Sequence, residues 1–249
     1  MLVIRIYGKE YPDILIKVSK REYLEDIIQG KLYFNNAEYF RDIETDSSKD
    51  SREGKVRIDT SKLNDNDPIF DFNSIFSPEE LNLSVKSSQK TPIFCCSVLE
   101  RNMLIPKGKG EFDLSKAYLK EMEKWGNCVL VFSLHEFCSK VYNKCFDQNI
   151  IPLMKKITYD QEENSLSYSE FVELMKFNKY DVFFHKTNAY KNQHEFRVVL
   201  GGANVAKDKG NYILNIGKLE LATIFELESL GNLGLRIKIW EDYQRNSYK

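Results

Sequence analysis

The chain has 249 residues, 42% of them hydrophobic and 13% aromatic, enough for the core of one large domain or two small ones. Its 36 basic and 37 acidic residues leave a formal charge of -1, which excludes the broad positive field of a dedicated duplex-DNA binder while leaving local basic patches open. There is no apolar run long enough to span a bilayer, and no charged start leading into an apolar run and a small-residue cleavage site, so a cytoplasmic protein with no membrane partner is expected.

Residues 2–6, with Arg5, and residues 14–18, with Lys17, read as extended segments. Ser19 and Glu22 fit a capping box, Tyr23, Leu24, Ile27 and Ile28 form an apolar stripe, and Gly30 fits the stop of the helix between them. Residues 31–35, carrying Tyr33, return to an extended pattern. Residues 41–90 are rich in Asp, Ser, Asn and Lys and contain Pro68 and Pro78, so this excursion is either a lid with some short structure or a mobile insertion. Residues 93–99 read as a buried strand carrying Ser97. A helix is expected over 114–125 ending at Gly126, then a strand over 128–132, then a second capping box, Ser133 with Glu136, opening a helix to about Asn143.

Residues 154–159 and 165–168 read as paired strands around the polar turn 160–164; alternatively, Ser167 and Glu170 open a short helix with Phe171, Leu174 and Met175. The last third reads as sheet, with strands over 182–184, 195–200, 212–216, 222–225 and 235–240. Gly201-Gly202, Lys107 to Gly110 and Lys207 to Gly210 read as connections rather than phosphate cradles. The chain is therefore expected to be a single α+β domain over residues 1–249, with no clear point of division and the polar segment 41–90 as an insertion or lid.

Five cysteines, odd in number and mostly within apolar or helical patterns, point to reduced, buried thiols. Without a C-x-x-C pair, and with only His135, His185 and His194, no metal site is expected. The phosphate-loop, nucleophile-elbow and zinc-helix signatures are likewise missing from the sequence.

Gln193-His194-Glu195-Phe196-Arg197 carries the strongest functional signal. Alternation sends Glu195 and Arg197 to one side of a strand and Phe196, Val198 and Leu200 to the other, so a carboxylate is fixed on a rigid mount. The competing reading is a cross-strand ion pair on a solvated sheet face.

Lys17, Gly30-Lys31-Leu32-Tyr33-Phe34, Cys95-Cys96-Ser97 and the Gln193 to Arg197 strand together resemble an uncharacterised bacterial family associated with mobile elements and phage defence. More distantly, Gln193-x-Glu195 is similar to the late motif of ADP-ribosyltransferases, although Lys17 stands where that superfamily has His or Arg. This resemblance implies a mostly antiparallel split sheet, NAD as cofactor, Glu195 and Gln193 as catalytic residues, and Lys17 or Arg5, Tyr33, Ser97 and Arg197 around the cofactor. It also implies a protein or nucleic-acid acceptor, or water, and a phage or host protein as partner. In such a site a fixed carboxylate stabilises the positive charge that develops on the ribose as nicotinamide leaves. Two other classes stay open. One is a binding protein or inhibitor without turnover, anchored by some of the 14 tyrosines and 16 phenylalanines. The other is a magnesium-dependent nuclease using Asp181, Glu195 and Arg197, in which the arginine is a poor substitute for the usual lysine. The sequence does not set the oligomeric state.

Overall fold

Helices and a mostly antiparallel sheet make up the chain, as the expected α+β class requires. The computed structural model describes residues 5–7, 14–36, 39–40, 55–58, 81–84, 90–108, 111–160, 168–177, 180–202, 211–228 and 237–240. In chain order the elements begin with strands β1 (Arg5–Tyr7) and β2 (Ile14–Ser19), helix α1 (Arg21–Ile28), and strands β3 (Lys31–Asn36), β4 (Lys55–Ile58) and β5 (Leu81–Ser84). Strands β6 (Pro92–Val98), β7 (Leu104–Gly108) and β8 (Glu111–Leu114) lead to helix α2 (Lys116–Met122), strand β9 (Cys128–Ser133) and helix α3 (Leu134–Asp147). Strands β10 (Ile151–Lys156) and β11 (Thr158–Asp160), helix α4 (Tyr168–Phe177), and strands β12 (His185–Thr187), β13 (Glu195–Gly201), β14 (Asn211–Asn215), β15 (Ala222–Glu226) and β16 (Ile237–Trp240) complete the series.

These elements fall into two compact units that are interleaved along the chain. The first comprises Met1–Leu32, Cys95–Lys144 and Leu214–Lys249, and the second Tyr33–Phe94 and Cys145–Ile213. Since neither unit is one continuous stretch, no compositional break marks where one ends and the other begins.

In the first unit β2 runs antiparallel to β9, from Ile14↔Ser133 to Ser19↔Cys128, and β9 pairs on its other side with β15. Alternation gives β9 two apolar faces and β2 one, the other side of β2 carrying Leu15, Lys17 and Ser19. Ile14, Ile16, Val129 and Val131 join Leu99, Met103, Leu114, Tyr118 and Met122 in one core cluster. On β9 the alternate residues Cys128, Leu130 and Phe132 are equally buried, and Phe132 meets Phe137 of α3 edge-on at 5.3 Å. Helix α1 packs against β2, β9 and β15, burying Leu24 and Ile27. Gly30 ends it as the sequence suggests, at φ +83; a Cβ there would lie 2.1 Å from the Gly217 carbonyl oxygen.

In the second unit β10 and β13 form an antiparallel ladder from Ile151↔Gly201 to Lys156↔Phe196. Every residue of β13 is buried, so both of its faces are covered. Strand β3 pairs with β6 through Asn35↔Ile93 and Asn36↔Pro92, and Phe34 packs against Phe94 and Tyr212. Short parallel strands β11 and β12 align Tyr159 with Lys186, and β4 pairs antiparallel with β5.

Several local expectations change. Ser19 belongs to β2, and Lys20 takes the N-cap position of α1 without a side-chain bond, so the first capping box does not form. The second is half made. The Glu136 amide donates to Ser133 Oγ at 3.3 Å, but the Glu136 carboxylate turns away and accepts the Glu220 and Leu221 amides, each at 2.8 Å. Helix α2 is shorter than expected because Ser115 caps it, accepting the Tyr118 amide. Lys107 and Gly108 lie in β7, whose hairpin with β8 carries an irregularity between Pro106 and Gly108. Residues 182–184, expected as strand, form a 3-10 turn, Asp181–Phe184, and the extended run is β12 just after it. Strands β10 and β11 pair with β13 and β12, and Tyr168 begins a helix, as the alternative reading has it; residues 165–167 lie outside the described residues. Of the segment 41–90, β4, β5 and Lys90 are described; the expected lid otherwise lies outside the described residues, as does the connection at 207–210.

Candidate functional site

Glu195 opens β13 from a residue in the left-handed region, His194 at φ 44 and ψ 44, which turns the chain out of the 3-10 segment Asn188–Gln193 and into the strand. The Glu195 amide donates to the Tyr159 hydroxyl at 2.8 Å, and its carbonyl accepts the Ile157 amide at 2.9 Å, so its backbone is fixed on both sides. The face that carries Glu195 and Arg197 is not solvated: Glu195 is 6% exposed and Arg197 is 0% exposed. The pair therefore sits in the interior, and the expectation of a surface ion pair is overturned because residues 181–193 lie over this side of the β10–β13 ladder, with the Phe183 carbonyl accepting from Arg197.

Each carboxylate oxygen of Glu195 has its own cation. Arg197 Nε approaches Oε1 at 2.5 Å, and Lys186 Nζ approaches Oε2 at 2.7 Å. The Lys186 ammonium also donates to Gln193 Oε1 at 3.0 Å and stands 5.2 Å above the Tyr190 ring. The Glu195 carboxylate is removed from water and lies between two cations that balance its charge. The cluster thus provides a fixed negative charge, a buried ammonium and a polar amide within one hydrogen-bonded group.

Gln193, Glu195 and Arg197, marked out in the sequence, are brought together here, and Tyr33 belongs to the same unit, on β3 and about half exposed. Lys17 and Ser97 belong to the first unit. Lys17 Nζ donates to the Cys95 carbonyl at 2.6 Å, and Ser97 neighbours the Tyr118 phenol, which burial pushes above the ordinary tyrosine range. Arg5 is on β1; its side chain lies outside the described residues. Asp181 is held by Lys155 at 2.5 Å, with His185 at 3.7 Å. Among the described residues no group of three or more His, Cys, Asp or Glu is placed to hold a metal ion, and none of the helices is long and apolar enough to cross a membrane. No disulfide joins any of the five cysteines.

The chain matches no protein-family model, and no curated protein or solved structure is significantly similar to it.

Lys186, Tyr159 and Tyr190 are the members of the cluster that sequence reasoning missed. Reading 182–184 as a strand ended the buried segment at Phe184, whereas β12 carries the chain on and turns Lys186 inward. The one available signal was a lysine two residues beyond an apolar run and nine before an E-x-R strand, too common a pattern to single out.

Whether these residues suit NAD depends on Lys186. With the lysine on Oε2, the Glu195 carboxylate has no oxygen directed at a ribose, and Arg197 is committed to Glu195 and the Phe183 carbonyl. The set suits the cofactor only once Lys186 has left Oε2, a change that frees one carboxylate oxygen and one ammonium together.

Proposed function

We propose that the protein is an ADP-ribosyltransferase-like enzyme acting in phage-host conflict, with an ADP-ribosyltransferase-like split sheet and Glu195 as its chemical centre. The observation that carries this reading is the Glu195 carboxylate itself, buried and fixed at the start of a buried strand between two cations, with Gln193 joined to it through Lys186. NAD would supply a glycosidic bond whose cleavage places positive charge on the ribose, and a fixed carboxylate is the group that stabilises such charge. In this account Glu195 provides the charge, Arg197 holds its Oε1 edge, and Gln193 orients the acceptor. Lys186, once off Oε2, is available to a diphosphate oxygen, and Tyr33 offers an exposed ring for a flat heterocycle.

A second reading is supported by one specific observation: both Glu195 oxygens are held by cations, the arrangement of a structural ion cluster in a protein that binds a phage or host partner without turnover. Calorimetric titration with NAD separates the two. The transferase reading requires the wild type and Glu195→Gln both to bind NAD. No heat of binding with the wild-type chain sinks that reading and leaves the partner-binding one, for which affinity capture with phage and host proteins is the next experiment.

A further inference from the structure

The segment that covers Glu195 is held down in an unusual way. From His185 to Gln193, Lys186 alone is buried; Asn188, Ala189, Lys191 and Asn192 are exposed, and the 3-10 turn Asn188–Gln193 buries no residue. By contrast, the residues just before it, Val182, Phe183 and Phe184, are all buried and form an apolar anchor. Beyond that anchor its attachments include the short β11–β12 ladder, the approach of His185 to Asp181 at 3.7 Å, and the ammonium of Lys186, which reaches inward to Glu195 Oε2 and Gln193 Oε1. At its far end the chain turns through His194 in the left-handed region, a conformation that suits a hinge into the rigid β13.

We propose that Lys186 is a positioning residue that latches the strap His185–Gln193 across Glu195, and that the carboxylate becomes accessible to ligand when this latch releases. A segment without buried apolar side chains has little hydrophobic free energy opposing its departure, so polar contacts, with the buried Lys186–Glu195 ion pair among them, resist its opening. Releasing it uncovers Oε2 and moves Lys186 outward with the strap, while Arg197, on β13 itself, remains to hold Oε1. An anionic ligand favours the open form by offering Lys186 a counter-charge in place of Glu195. That this ligand is an NAD-class dinucleotide rests on the reading above; the latch does not.

Hydrogen exchange of the full chain tests the latch without any ligand. Lys186→Met keeps the length and apolar stem of the side chain and removes the ammonium. The strap amides of residues 185–193 should then exchange about tenfold faster or more, with Val198 to Leu200 on β13 unchanged, and Lys186→Arg should restore much of the protection. Carbodiimide coupling of an amine to Glu195 should rise in parallel in Lys186→Met. An unchanged strap, or an equal rise in the strap and in β13, overturns the proposal, because the lysine would then be a structural element of the whole unit. Should Lys186→Met fail to fold, the wild type decides: strap amides exchanging as slowly as Val198 to Leu200, with the same urea dependence, contradict a local opening. A strap that behaves as proposed in a protein that never binds NAD overturns the transferase reading alone.

Discussion

Arg197→Met is the sharpest probe of the buried cluster. Arg197 is wholly inside, its Nε is 2.5 Å from Glu195 Oε1, and it also donates to the Phe183 carbonyl. Removing one partner of a buried pair costs about 3–5 kcal/mol when the other charge is abandoned. Here Lys186 stays on Oε2 at 2.7 Å, so Glu195 keeps one cation and the loss falls toward the lower end of that range. A buried carbonyl deprived of its donor adds about 1 kcal/mol. The expected destabilisation is therefore about 3–4 kcal/mol, with methionine filling much of the volume of the arginine stem. Urea unfolding followed by far-ultraviolet circular dichroism suits the measurement, because both tryptophans, Trp125 and Trp240, belong to the first unit and would report on the wrong one. A double-mutant cycle with Glu195→Leu completes it: the two losses should fall short of adding, by more than about 1 kcal/mol, since each single change already breaks the shared contact. A loss below about 1 kcal/mol for Arg197→Met, or strict additivity in the cycle, would refute the reasoning that this pair is desolvated and mutually dependent.

Other expectations follow from the first unit and from the buried thiol. Gly30→Ala should lower stability by at least about 2 kcal/mol in urea unfolding, because the residue sits at φ +83 and the new methyl would meet the Gly217 carbonyl 2.1 Å away. Glu136→Ala should cost about 1 kcal/mol by the same assay, since its carboxylate accepts two solvent-exposed backbone amides, those of Glu220 and Leu221, which water would then take up. Burial pushes the Cys145 thiol from its ordinary 9.0 up to about 11. The unfolded thiol ionises first as pH rises, so its contribution is fully present below about pH 9 and is lost progressively toward pH 11; unfolding free energies of Cys145→Ala should fall less steeply over that window than those of the wild type.

The sequence carried the regular parts of this fold clearly and its coverings poorly. Alternation located β2, β9, β13 and β15 to within a residue or two, because each is a short apolar run bounded by polar residues. Gly30 marked the end of α1 for a reason visible in the chain, as few other residues adopt its conformation cheaply. What one strand cannot disclose is what lies over it. The spacing of Glu195 and Arg197 put both on one face, as observed, but the burial of that face depends on residues 181–193, whose 3-10 turns have no strong sequence period. The same gap hid Lys186. Capping residues misled in a related way: Glu136 has the right spacing from Ser133, yet the Glu220 and Leu221 amides, distant in sequence, are its actual partners. The two compact units are interleaved along the chain, and one boundary between them falls inside the continuous strand β6, so no change of composition accompanies it.

The measurement that tests the central claim most directly is nicotinamide release from NAD by the purified chain, with cell extract as acceptor, compared between wild type and Glu195→Gln. The account predicts release by the wild type and a loss of at least about a hundredfold in Glu195→Gln, with NAD binding and the circular dichroism spectrum retained, since glutamine keeps the shape but not the charge that stabilises the departing sugar. Release that survives Glu195→Gln, or no release by the wild type under any acceptor condition, contradicts the assignment of Glu195 as the chemical centre.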